Sequence, residues 1–285
     1  MKTNLLLILV ILLAGCHKEF VREEDVTEQP GLTSENFDVA YVLNEVNQLS
    51  EAIEDNIELF SATETSSSFT TKATPVCPEI SVQTASESLY PLTVTIDFQD
   101  GCKGKRDNDI SGLLYIALSS AWDTEGATHS VTFDGFEIDG VAISGTQSMT
   151  YDGVNSGVYT FTVTSDLTFT WSDGYWINRK MTKTRSYIAG FDTPSDATDN
   201  IIQISGTITD LTSEGETYTI TTTTPLTANL DCSYFTSGIL KVSQNNELAF
   251  TLDYGDGTCD NKATISKGDY SQDITLTKTR NVNAN

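Results

Sequence analysis

The chain has 285 residues, which is enough for one large domain or two small ones. Its 40 acidic residues outnumber its 16 lysines and arginines, and the formal net charge is -24 at pH 7. This charge excludes nucleic acid and disfavours an anionic membrane surface as a partner, because both attract proteins through basic patches. The acidity is typical of a soluble, well-solvated surface, and cation binding is the alternative interpretation.

The first sixteen residues have the form of a lipoprotein export signal. Lys2 supplies a positive charge, and Leu5–Leu13 is an apolar run shorter than the roughly 20 residues that a membrane-spanning helix needs. The sequence Leu13-Ala14-Gly15-Cys16 resembles the bacterial lipobox, in which the cysteine is acylated and becomes the new N-terminus. We therefore predict a signal peptide over residues 1–15 and a membrane anchor of acyl chains on Cys16. A secreted protein cleaved near Ala14 is the alternative.

The sequence after the anchor is polar and acidic, and Pro30-Gly31 breaks it. Residues 16–33 are therefore predicted to form a flexible tether. His17-Lys18-Glu19 resembles the signals that send lipoproteins of the Bacteroidota to the cell surface, although Phe20 interrupts the pattern. The expected location is the outer membrane, on its periplasmic face or at the cell surface.

An amphipathic helix is predicted over residues 34–60. Ser34 is a suitable N-cap, and apolar residues follow at steps of three and four: Val39, Val42, Leu43, Val46, Leu49, Ile53, Ile57 and Phe60. We expect the helix to pack on the β domain or on a neighbour, because the acidic residues of its polar face would be repelled by anionic lipid. Residues 61–75 are rich in Ser and Thr and are predicted to form a second linker.

Residues 76–285 are predicted to form an antiparallel β domain. Apolar and polar residues alternate over 159–171, which is the period of a sheet with one buried face. Other candidate strands are Ile80–Gln83, Leu92–Phe98, Ile110–Leu118, Ser130–Ile138, Val141–Tyr151, Tyr175–Ile188, Ile201–Leu211, Thr217–Thr224, Gly238–Val242, Leu248–Asp253 and Asp273–Leu276. Their connections are short, with Asp-Gly turn signals at 139–140, 152–153 and 173–174. The predicted fold class is mainly β, an antiparallel meander with one N-terminal helix, arranged as a sandwich, a twisted open sheet or a partly closed barrel.

Four cysteines remain after Cys16, in a chain predicted to enter an oxidising compartment. Cys77 and Cys102 bracket two candidate strands, and Cys232 and Cys259 bracket two others. Folding each hairpin brings its open ends together, so we predict the disulfides Cys77–Cys102 and Cys232–Cys259. A crossed pairing would have to span the intervening meander. A metal site is disfavoured because the chain has no Cys-x-x-Cys spacing.

The segment around the last cysteine carries a family resemblance. Asp253-Tyr254-Gly255-Asp256-Gly257-Thr258-Cys259-Asp260-Asn261, with Cys232 and Ser237-Gly238 before it, resembles uncharacterised β-rich lipoproteins of the Bacteroidota. A weaker copy, Asp97-Phe98-Gln99-Asp100-Gly101-Cys102, lacks the second glycine and the threonine. The resemblance covers most of the exported chain, and it implies an envelope location but no particular activity.

Catalytic motifs are missing from the sequence, including the nucleophile elbow, the metalloprotease helix and the nucleotide-binding loops. His129 is the only histidine outside the tether, and it shares one strand face with Val131 and Phe133. A packed histidine is therefore favoured over a general base. The many carboxylates single out no pair for glycosidase chemistry. We expect a protein that is not an enzyme and has no cofactor.

One candidate ligand site is an aromatic hairpin. A two-residue turn at Asp173-Gly174 would set Trp171 directly opposite Trp176, with Tyr175 beside them. Such a pair is a candidate platform for stacking on a sugar ring. A cross-strand pair that only stabilises the hairpin is the alternative.

A calcium loop is the second candidate, and we predict no metal site there. Asp107, Asp109 and Ser111 place oxygen ligands at alternate positions before Gly112, as in the opening of such a loop. The position that should hold a bidentate acid is Leu118, and a strand follows instead of a helix.

The predicted function is non-catalytic binding or adhesion at the cell envelope, with a glycan as the candidate ligand. The alternative is a structural or assembly component that binds other envelope proteins. A hydrolase is the third and least favoured hypothesis.

Overall fold

The structure is a computed structural model that describes residues 31–64, 77–84, 90–104, 107–121, 124–193 and 197–276, without the side chains of residues 55, 56 and 58–64. Cys16, the signal peptide and most of both predicted linkers lie outside these residues. In the described part, no helix combines the length and the apolar character needed to cross a membrane.

The described chain is mainly β, as predicted, with one long helix, α1 (Ser34–Glu64), and a 3-10 turn at Ala197–Asp199. Helix α1 continues four residues beyond its predicted end at Phe60. The strands are β1 (Glu79–Thr84), β2 (Leu92–Asp97), β3 (Cys102–Lys103), β4 (Asp109–Leu118), β5 (Thr128–Ile138), β6 (Val141–Asn155), β7 (Val158–Thr170), β8 (Trp176–Ala189), β9 (Ile201–Thr212), β10 (Thr217–Asn229), β11 (Phe235–Gln244), β12 (Glu247–Asp256), β13 (Lys262–Lys267) and β14 (Tyr270–Thr275). The short strand β3 and strand β13 were not predicted from the sequence.

All 14 strands belong to one antiparallel sheet. Their order follows the chain from β1 to β14, except that β2 and β3 both pair with β4. This is the predicted meander. Strands β1 and β14 form the two edges and do not pair with each other, so the sheet is open. Of the three predicted arrangements, the open sheet is the one observed.

Two-residue turns join β5 to β6 and β6 to β7. Asp139-Gly140 forms the predicted turn between β5 and β6, with φ of 50° and 76°. The turn predicted at Asp152-Gly153 is wrong, because these residues lie within β6, where the register with β7 shifts. Ser156-Gly157 makes that turn instead, with φ of 53° and 82°. Positive φ at both central residues is what a tight hairpin with right-handed strand twist needs.

Both predicted disulfides are confirmed. Cys77 precedes β1 and is bonded to Cys102 in β3, with a Cα–Cα distance of 5.7 Å. Cys232 lies between β10 and β11 and is bonded to Cys259 after β12, with a Cα–Cα distance of 5.8 Å. Each bridge closes a local unit of consecutive strands, as the spacing of the cysteines predicts.

Helix α1 lies against the inner face of the sheet, and its middle part is buried on all sides. From Ala40 to Glu54, only Tyr41 and Gln48 are more than slightly exposed. Helix residues between 37 and 43 pack into an apolar cluster with strands β6 to β14, and helix residues between 42 and 57 pack into another cluster with β2 and β4 to β8. The apolar face therefore packs on the β domain, as predicted, but the polar face is buried as well.

Candidate functional site

Strand β8 directs three cations into the interior of the protein. Its side chains alternate between the two faces of the sheet, and the inward positions are Ile177, Arg179, Met181, Lys183, Arg185 and Tyr187. All three cationic side chains are at most 5% exposed. Buried charges of one sign need partners of the other sign, because burial removes the water that would solvate them.

Arg179 has one partner on the neighbouring strand β9 and another on helix α1. Its Nε and Nη2 donate to the two carboxylate oxygens of Asp210, at 2.8 and 2.6 Å, and Nη1 donates to Asn47 Oδ1 of α1 at 2.6 Å. Asp210 lies directly opposite Arg179 on strand β9. The bidentate pair with Asp210 fixes the planar guanidinium and links β8 to β9. The bond to Asn47 links β8 to the helix.

Lys183 and Arg185 share two carboxylates of the helix, and we call these four residues the ion-pair cluster. Lys183 Nζ lies 2.5 Å from Glu51 Oε1 and 2.8 Å from Glu54 Oε1. Arg185 Nη1 contacts the other oxygen of each glutamate. Burial raises the pKa of Glu54 to about 6, against the opposing pull of Lys183 and Arg185. The carboxyl group therefore remains mostly ionised at pH 7.

The predicted pairing of Trp171 with Trp176 is wrong. The Trp171 amide donates to the Tyr175 carbonyl at 2.9 Å, and Trp176 instead pairs with Thr170. Trp171 therefore faces inward, where it is 3% exposed and donates from Nε1 to Glu45 Oε1 at 3.1 Å. Trp176 lies on the other face, so the three aromatic residues do not form one platform.

The reason for this difference is the length of the turn. The Gly174 amide donates to the Trp171 carbonyl at 2.9 Å, and the loop between the paired residues Trp171 and Tyr175 has three residues, 172–174, instead of the predicted two. The Asp173 carboxylate supports it by accepting from the Tyr175 amide at 2.9 Å, and Gly174 supplies a φ of 85°. The one extra loop residue shifts the register by one position, so the residue opposite Trp171 is Tyr175 and not Trp176.

A cavity of about 290 Å³ opens beside the start of α1, and we call it the helix-end cavity. It lies between the first turns of α1, the turn before β8 and the turn between β9 and β10. Its apolar lining consists of Val39, Val42, Leu43 and Ile177, with the rings of Tyr175 and Tyr218. Its acidic lining consists of Glu35, Asp38, Asp210, Glu214 and Glu216, and no lysine or arginine of the described residues lines it.

The polar groups on one side of the helix-end cavity are held in place. Tyr218 Oη donates to Glu216 Oε2 at 2.9 Å, and Gln244 Nε2 donates to Tyr218 Oη at 3.2 Å. Burial and the nearby Glu216 carboxylate raise the pKa of Tyr218, so its ring carries a neutral hydroxyl group. The cavity thus offers fixed hydrogen-bond acceptors beside aromatic and aliphatic surface.

Two of the calcium-loop residues, Asp107 and Asp109, lie beside Lys103. Lys103 Nζ lies 2.9 Å from Asp109 Oδ1 and 3.9 Å from Asp107 Oδ1. The Asp109 amide donates to the Asp139 carboxylate at 2.8 Å, which ties this loop to the turn between β5 and β6. Among the described residues there is no group of three or more His, Cys, Asp or Glu side chains placed to hold a metal ion. Ser111, the third predicted ligand, lies in strand β4.

His129 is packed in the interior, as predicted. It lies on β5 and is fully buried. Burial lowers the pKa of its imidazole to about 4, because the charged form would lose its solvation. The side chain is therefore neutral at pH 7.

Sequence reasoning missed both the ion-pair cluster and the helix-end cavity. Each combines segments that are far apart in the chain. For example, Glu51 of the helix and Lys183 of β8 are 132 positions apart. The inward cations of β8 are the one visible signal, since a strand with charges at alternate positions on its buried face requires buried acids elsewhere. Comparisons of the chain with family models, curated proteins and solved structures found no match.

Proposed function

We propose that the protein is an envelope lipoprotein that acts as a non-catalytic binding module, and that its ligand binds in the helix-end cavity. The cavity carries this proposal. Its volume of about 290 Å³ is close to the lower end of the roughly 300–1,000 Å³ typical of small-ligand sites. Such sites combine mostly apolar walls with a few fixed polar groups, and that is the composition found here.

A glycan is the proposed ligand. A sugar ring has an apolar face that can stack on the ring of Tyr175, and its hydroxyl groups can donate to the carboxylates of Glu214 and Glu216. The cavity is therefore proposed to hold one or two sugar units at the end of a chain. This proposal moves the glycan site from the predicted tryptophan pair to a neighbouring tyrosine.

Binding should be lost when the cavity is altered and kept when the outer face is altered. We expect Tyr175→Ala and Glu214→Gln each to weaken binding to a polysaccharide or its oligosaccharides by roughly tenfold, which corresponds to about 1.4 kcal/mol. Trp176→Ala is the matched control, because it removes an aromatic ring one residue away on the opposite face. Calorimetric titration over a glycan panel is the measurement, with melting temperatures as a check on folding.

Different results test the location of the site and the chemical class of the ligand. Binding that is equal in the wild type and both cavity variants would contradict the cavity. Binding of organic amines but not sugars, weakened by Glu214→Gln, would keep the cavity and contradict the glycan. Loss with Trp176→Ala alone would move the site to the outer face.

Membrane anchoring through Cys16 is the second part of the proposal. It is supported by the sequence Leu13-Ala14-Gly15-Cys16 and by the resemblance to Bacteroidota lipoproteins, which also suggests the outer membrane, facing the periplasm or the cell surface. We expect mature protein to begin at an acylated Cys16, and Cys16→Ser to leave the protein unprocessed or released. Mass spectrometry of the N-terminal peptide is the measurement, and an unmodified peptide would contradict the anchor.

Binding to other envelope proteins is the alternative function, and the sheet edges are where it would occur. Strand β1 has mostly exposed or half-exposed residues and no partner on its outer side among the described strands. Unpaired strand edges can accept an added strand from another chain. However, β1 and β14 have only 6 residues each, so we favour the cavity.

A further inference from the structure

A second, smaller cavity lies inside the fold, between α1 and strands β8 to β11. Its volume is about 30 Å³, and we call it the inner cavity. We infer that the inner cavity binds about two water molecules, which complete the hydrogen bonds of Arg179 and Lys183. This inference does not depend on the proposed ligand.

The walls of the inner cavity are polar on the side of the helix and β8. Asn47, Ser50 and Glu51 come from the helix, and Arg179 and Lys183 come from β8. All five side chains are at least nine-tenths buried. Met181 of β8 and residues of β9 to β11, which are apolar except for Gly206 and Thr222, complete the lining. Most of the lining surface is apolar, but the charged and amide groups on one side distinguish this cavity from the purely apolar cavities that stay dry.

Arg179 and Lys183 have more N–H donors than their observed bonds use. A guanidinium group has five N–H donors, and the observed bonds of Arg179 to Asp210 and Asn47 use three of them. An ammonium group has three donors, and the contacts of Lys183 with Glu51 and Glu54 use two. The remaining donors lie on side chains that border the inner cavity, and water can accept from them.

The available space agrees with this count. A buried water needs roughly 10–15 Å³ of such volume and usually makes two to four hydrogen bonds. The inner cavity therefore has room for about two waters, with donors on Arg179 and Lys183 and acceptors on Glu51 and Asn47. Each donor nitrogen of Arg179 and Lys183 already has one partner, and water would accept from the N–H groups that these bonds leave unused.

The waters would join two polar groups that otherwise lie apart. On one side is the pair of Arg179 with Asp210, and on the other is the ion-pair cluster. Asp210 also lines the helix-end cavity. One hydrogen-bonded network would then extend from that cavity to Glu54 in the interior.

Crystals of the full-length protein test the inference with and without xenon gas. We expect one or two ordered waters within hydrogen-bond distance of Arg179 or Lys183, and no xenon at this site. Phe136→Ala is the positive control, because it opens an apolar cavity in the other core cluster, near Phe98 and Phe133, where xenon should bind. An inner cavity without water density, or one that takes up xenon, would overturn the inference.

Discussion

Replacing Lys183 by methionine is expected to lower the free energy of unfolding by about 3–5 kcal/mol. The substitution keeps the length of the side chain but leaves Arg185 as the one cation of the ion-pair cluster beside the carboxylates of Glu51 and Glu54. All of these groups are buried, so water cannot solvate the unbalanced charge. Urea unfolding followed by circular dichroism is the measurement.

Lys180→Met is the matched control for this prediction. Lys180 lies on the same strand, but on the outer face, where its Nζ is 3.3 Å from Asp166 and both side chains are more than half exposed. Exposed ion pairs contribute at most about 1 kcal/mol. Equal, small losses for Lys183→Met and Lys180→Met would show that the ion-pair cluster is not buried as described.

A second substitution should partly rescue the first. In Lys183→Met with Glu54→Leu, one charge of each sign is removed, so Glu51 and Arg185 remain as a balanced pair. We expect the double variant to be clearly more stable than the sum of the two single losses implies, because contacting residues couple energetically. Strictly additive losses would contradict direct pairing between Lys183 and Glu54.

Removing the second disulfide is expected to cost about 3 to 4 kcal/mol in free energy of unfolding, on the chain-entropy account. Cys232 and Cys259 are separated by 27 positions, so their bond closes a loop of that size in the unfolded chain and lowers its conformational entropy. The double variant Cys232→Ser with Cys259→Ser removes the bond without leaving an unpaired thiol. Urea unfolding is again the measurement.

The first disulfide provides the comparison. Cys77 and Cys102 are separated by 25 positions, so the entropic cost of removing this bond should be nearly the same. Peptide mapping without reducing agent should find the two local linkages. Crossed linkages, or no loss of stability in either double variant, would contradict the account.

Much of the sheet is predictable from local sequence. Strand β7 alternates except at Ser165, with Phe161, Val163, Leu167 and Phe169 inward, and this period identifies a strand with one buried face. The short β13 was missed because only Ala263 and Ile265 are apolar and lysines flank them. The disulfides were predictable because each closes consecutive strands.

The environment of the helix was not predictable in the same way. Asn47, Glu51 and Glu54 occupy what looks like a solvated polar face, because periodicity shows which residues share a face but not what covers it. Strand β8 covers that face with inward cations. The tryptophan prediction failed because of turn geometry, since a change from two loop residues to three moves Trp171 from one partner to the next.

Hydrogen exchange of the full-length protein tests the central claim, that α1 is an interior element enclosed by the sheet. The account predicts that amides from Ala40 to Glu54 exchange as slowly as those of β7 and β8, because all three become exposed only when the core opens. Lys183→Met should speed exchange in the helix and in β8 together. Rapid exchange of the helix in the wild type, with slow exchange in β7 and β8, would contradict the account, since it would show a helix that leaves the sheet without unfolding it.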